Sequence, residues 1–128
     1  MFQGLNVFKV AHAMAIHAGQ RQAVVSQNIA NSDTPGYKAQ DIQRFADIHR
    51  ADAASGMRAS RVGHMNNTEA GSTALLTFAT DAATDPNGNS VSVELELLKG
   101  VESKRQHDRA IAIYKSSLNV LRTSLGRS

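Results

Sequence analysis

The chain contains no cysteine and no tryptophan, and aromatic residues make up only 5% of its 128 positions. Without cysteine there is no disulfide and no thiolate metal site, although this alone does not fix the compartment. Alanine supplies much of the 41% hydrophobic content, so a core built from it buries little area per residue. The composition therefore predicts an elongated or partner-dependent structure. No window approaches the roughly 18 consecutive apolar residues of a membrane span. The stretch MFQGLNVFKV lacks a charged segment followed by a long apolar run, so no cleavable secretory signal is expected. Acid is missing from residues 1–30, which hold Lys9 and Arg21. The net charge of +3 is weak support for nucleic-acid binding.

Catalytic signatures are missing too. There is no phosphate-binding loop, nucleophile elbow or dinucleotide fingerprint. His12 and His17 are five apart and point to different helix faces, which argues against a metal pair. His49, His64 and His107 form no ligand spacing, and His107 reads as a partly buried polar residue. Asp41 and Asp47 read as solvated carboxylates. We expect no catalytic residue, no cofactor and no metal, and hence no enzyme.

What is present is periodicity. Phe8, Ala11, Ala15, Ala18, Gln22, Val25 and Ile29 alternate at steps of three and four, the seam of a helix that packs on another helix. Leu5 extends this seam, and Val7, Val10 and Met14 form a second stripe beside it. Near the other end Ile111, Tyr114, Leu118, Leu121 and Leu125 repeat the pattern. Extending that frame backwards gives His107, Lys104, Gly100 and Leu97. VSVELELL alternates and could begin as a strand, but helix is favoured for most of 92–125. Between the ends, Leu75, Leu76 and Phe78 are the one large apolar cluster, and DPNGN at 85–89 marks a turn.

The expected fold is mainly α. The N- and C-terminal helices pair as an elongated, coiled-coil-like hairpin, joined by an irregular or short β-hairpin middle. The divisions are 1–34 for the first helix and its stop, 35–90 for the middle and 91–128 for the second helix. An Ala-rich pair of this kind buries too little to stand alone and calls for neighbouring subunits.

The run SQNIANSDTPGYKAQ at 26–40 ends the first helix. Asn31 is suited to the left-handed conformation that closes helices. Pro35 pushes Thr34 out of the helical region, and Pro35-Gly36 fits the centre of a type II turn. This run resembles the N-terminal signature of the rod and hook family of flagellar axial proteins. Asn28, Ile29, Ala30, Asn31, Thr34, Pro35, Gly36, Tyr37 and Lys38 all match it. Within that family the short chain, GYKAQDIQRF and GNSVSVELELL are most similar to a proximal rod subunit of the bacterial basal body.

The resemblance implies a structural protein exported unfolded through the flagellar type III apparatus, with an uncleaved signal. It implies helical assembly into the periplasmic rod with copies of itself and other rod proteins. It further implies torque transmission, a share in the channel wall, and membrane-ring and export-gate proteins as neighbours at the base. Neither nucleic acid nor direct membrane insertion is implied. Seam residues Phe8, Ala11, Ala15, Ala18, Val25, Ile29, Ile111, Tyr114, Leu118, Leu121 and Leu125 are then the expected subunit contacts. The alternatives are a basic nucleic-acid-binding helix, with Lys104, Arg105 and Arg109 as its face, and a coiled-coil adaptor.

Overall fold

A computed structural model describes residues 2–55 and 77–126. Two long helices dominate: α1, Phe2–Ala30, and α3, Val93–Leu125. At about 1.5 Å per residue they run for about 43 and 50 Å. They pack antiparallel. The Phe8 and Tyr114 rings meet edge-on near one end, with centroids 5.1 Å apart. Asn28 bonds to Glu96 near the other. Between them lie β1 (Gln40–Ile42), α2 (Phe45–Ser55) and β2 (Thr77–Ala79). The strands pair antiparallel, with Gln40 opposite Ala79, Asp41 opposite Phe78 and Ile42 opposite Thr77. The mainly α hairpin with a short β element is thus the observed architecture.

The interface has a heptad register on both sides. Ala11, Ala18 and Val25 are buried on α1, and Glu96, Ser103 and Ala110 are buried on α3. Three heptad-spaced small or polar residues on α3 meet three small apolar ones on α1, which lets the backbones approach closely. The Ser103 hydroxyl has no hydrogen-bond partner among the described residues. Gly100 faces this interface, where an added Cβ would stand 3.6 Å from Val25 Cγ1.

The α3 frame extended backwards from its last turns differs from what is observed. Leu97, Lys104 and His107 point outward, while in the column one residue earlier Glu96 and Ser103 are buried and Lys99 and Gln106 half-buried. Close approach selects small or specifically partnered side chains, and size overrides hydrophobicity here. Helix α2 is an addition to the expected irregular middle. Phe45 and Ile48 turn inward from it, and Asp47 sits in its first turn, where a negative charge suits the helix dipole. Leu75, Leu76 and His64 lie outside the described residues.

Candidate functional site

Helix α1 stops at Ala30, close to the predicted boundary, but by a different device from the one expected. No non-glycine residue among those described has positive φ, Asn31 included. The last turn tightens instead: Asn31 N–H bonds to the Asn28 carbonyl and Ser32 N–H to the Ile29 carbonyl, both at 3.1 Å. The Asn31 side-chain amide donates back to the Gln27 carbonyl at 2.8 Å. A side-chain bond to the preceding turn holds Asn31 in place without the left-handed backbone. The chain then turns at Thr34-Pro35-Gly36-Tyr37. Tyr37 N–H bonds to the Thr34 carbonyl at 3.2 Å, and Gly36 has φ +75°, the geometry of a type II turn.

A second turn locks onto the first. In Asp85-Pro86-Asn87-Gly88 the Gly88 N–H bonds to the Asp85 carbonyl at 2.8 Å, and Gly88 has φ +83°. Gly36 N–H bonds to the Asn87 carbonyl at 3.1 Å. A Cβ on Gly88 would stand 3.3 Å from Gly36 Cα, so the two glycine turns sit back to back. Asn89, which is buried, donates its amide to the carbonyls of Asn31, Ser32 and Thr34 at 2.9, 2.8 and 2.8 Å. Its side-chain oxygen accepts from Val91 N–H at 2.7 Å. Ser90 continues the join: its N–H bonds to the Tyr37 carbonyl, and its hydroxyl accepts from Ala39 N–H.

Beneath these turns lies a polar node at the end of the helix pair. The Asn28 side chain is fully buried. Its amide donates to the Gln40 carbonyl at 2.7 Å and to Glu96 Oε2 at 3.0 Å. Its oxygen accepts from Gln40 N–H at 3.0 Å and from the Tyr37 hydroxyl at 3.3 Å. Glu96, itself buried, pairs with Lys99 at 2.8 Å. Lys99 also reaches Asp41 at 3.4 Å, and Asp41 meets Arg21 at 3.3 Å. Arg21 ends the chain on Glu102 at 3.3 Å. Anions and cations alternate through α1, β1 and α3, which is how charges survive out of water. Burial pushes the Asp41 carboxyl up, but the Ile42 N–H, Arg21 and Lys99 together hold it below the usual 3.8.

Asp41 is therefore an ion-paired strand residue, not the solvated carboxylate expected. Asp47 pairs with Arg44 at the surface. His17 is buried, with Nε2 donating to the Gln43 carbonyl at 2.7 Å and Nδ1 facing Gln106 at 3.3 Å. His107 is exposed rather than partly buried. Lys104, from the candidate basic face, is paired with Asp108 at 2.8 Å.

The node gathers part of the predicted site. Asn28 is at its centre and Tyr37 at its edge. Ile29 and Asn31 are half-buried, while Ala30, Thr34, Pro35, Gly36 and Lys38 line the exposed corner. Of the seam residues, Ala11, Ala18 and Val25 are buried, and Phe8, Ala15, Ile111 and Leu121 are half-buried. Tyr114, Leu118 and Leu125 remain exposed on the single chain. Sequence reasoning missed Arg21, Asp41, Asn89, Glu96 and Lys99 as members of one site. No cluster of potential metal ligands occurs among the described residues, and no helix among them is long and apolar enough to cross a membrane.

The model of the family described as "Flagella basal body rod protein" matches residues 15–38, which span the second half of α1, its stop and the first glycine turn. The chain is similar to flagellar basal body rod proteins. "Flagellar basal body rod protein FlgB" of Agrobacterium fabrum is 29% identical over 118 residues, covering 89% of this chain and 88% of the relative. The FlgB proteins of Aquifex aeolicus and Bacillus subtilis are each 27% identical. They cover 94% and 82% of this chain, and 91% and 81% of themselves. The similarity to rod proteins thus runs through both long helices. It supports a structural, rod-family role and a place in the flagellar basal body.

Proposed function

We propose that this chain is a structural subunit of the proximal rod of the bacterial flagellum. It assembles helically with copies of itself and other rod proteins, transmits torque and contributes to the wall of the export channel. The observation that carries this reading is the coincidence of the matched segment, 15–38, with the helix stop that the polar node holds in place. The helix pair supplies the wall element, and the node fixes the angle at which the middle leaves it. The exposed apolar residues Tyr114, Leu118 and Leu125 are surfaces for lateral contact. Membrane-ring and export-gate proteins are the proposed neighbours at the base. The protein takes its place in the periplasmic rod and catalyses no reaction.

The test is complementation of a motility-deficient strain lacking this protein. Leu118 is exposed on the single chain, so Leu118→Asp should preserve expression and helicity yet abolish rod formation and swimming. Normal swimming of Leu118→Asp cells would remove Leu118 from the contact surface. Normal rods in the strain lacking the protein altogether would overturn the reading itself.

A further inference from the structure

The first three turns of α3 leave an apolar face in solvent. Val93, Leu97, Leu98 and Val101 are 42%, 57%, 66% and 53% exposed, on the side away from α1. The buried side of the same turns carries Glu96 and Ser103. Large apolar residues outside and polar ones inside invert the usual arrangement. Within this patch stands Glu94, exposed and without an ion pair among the described residues. If the patch met the same patch on another copy, Glu94 would face Glu94 across a desolvated surface, which is unfavourable.

The outer face of α1 is its complement. Leu5 and Ile16 are exposed there, with Lys9 between them on the same side, also free of any ion pair among the described residues. Helix α1 contains no acid at all. We infer that the apolar start of α3 in one copy docks on the outer face of α1 in a second copy, with Glu94 of one turned towards the Lys9 side of the other. The contact joins two different surfaces, so each copy passes it on to the next, giving a ring where the rotation closes and a helical array where it does not. This rests on the rod-subunit reading and specifies which faces join.

The absence of native cysteine makes a direct test possible. Tagged Leu97→Cys chains and untagged Ile16→Cys chains are mixed and treated with a short bis-maleimide. The same variants are scored for swimming in complemented cells, which reports the rod-subunit reading separately. Mixed adducts should exceed either homodimer several-fold. They should fall when Glu94→Lys is added to the Leu97→Cys chain and recover when Lys9→Glu is added to its partner. Predominant Leu97–Leu97 adducts, adducts to other proteins alone, or no adduct would overturn the pairing. The rod-subunit reading would still stand wherever the cells swim.

Discussion

Replacing Asn28 by alanine should destabilise the folded chain by about 4 kcal/mol. The side chain makes four hydrogen bonds from a fully buried position, two through its amide and two through its oxygen. The two to the Gln40 backbone are neutral and worth about 1 kcal/mol each. The bond to Glu96 has a charged acceptor and is worth about 1.5–3 kcal/mol. The long Tyr37 contact, 3.3 Å, adds little, because the hydroxyl can turn to water. Removing the amide also strands a buried carboxylate oxygen, which raises the cost rather than lowering it. Asn28→Asp keeps the shape but sets a second carboxylate against Glu96, so it should be at least as damaging at pH 7. Urea unfolding followed by far-UV circular dichroism measures both. A loss below about 1 kcal/mol for Asn28→Ala would mean that the node adds little to stability, and the reasoning from its bonds would fail.

Gly36→Val should cost about 1–3 kcal/mol and impair assembly, since a β-branched residue resists φ +75°; unchanged urea midpoints would refute the strained turn. Gly100→Ala should stabilise by about 1 kcal/mol, because the helix gains propensity and the new methyl meets Val25 at an ordinary 3.6 Å; destabilisation in the same titration would show that the helices tolerate no added atom. Asp41 has its carboxyl held below 3.8 when folded, so the unfolded chain takes up that proton first as pH falls. Its contribution is complete above the unfolded value and disappears as pH drops through the folded one. Asp41→Asn should therefore lower stability at pH 7 and flatten the loss of stability below about pH 4, as read from unfolding curves at stepped pH.

The two long helices were legible because a seam repeating at three and four residues has one structural meaning. The stop was legible because Pro35 fixes its own φ and Gly36 permits the positive φ of the turn, whatever surrounds them. What periodicity cannot show is partner choice at long range. Asp41 is an ordinary acid in sequence, and its partners Arg21 and Lys99 are on two different helices. The α3 register was missed because Leu97 and Leu98 are larger and more apolar than Ser103, yet Ser103 is the one that fits between close backbones. A signal did exist: Glu96, Ser103 and Ala110 recur at the same heptad spacing as Ala11, Ala18 and Val25. Asn31 shows the limit of local preference, since its side chain reached Gln27 and made the left-handed backbone unnecessary.

The Asn89 amide holds three carbonyls that precede it by 58, 57 and 55 positions. That separation gives the molecule an order in time. The corner after α1 lacks this fastening until a residue far downstream arrives beside it. Closing a flexible loop of that length costs about 4 kcal/mol of chain entropy, and it must be met before the bonds of the join are gained. Until then the first helix is followed by a corner held only by its local bonds. The corner sets only when the segment leading into α3 has followed.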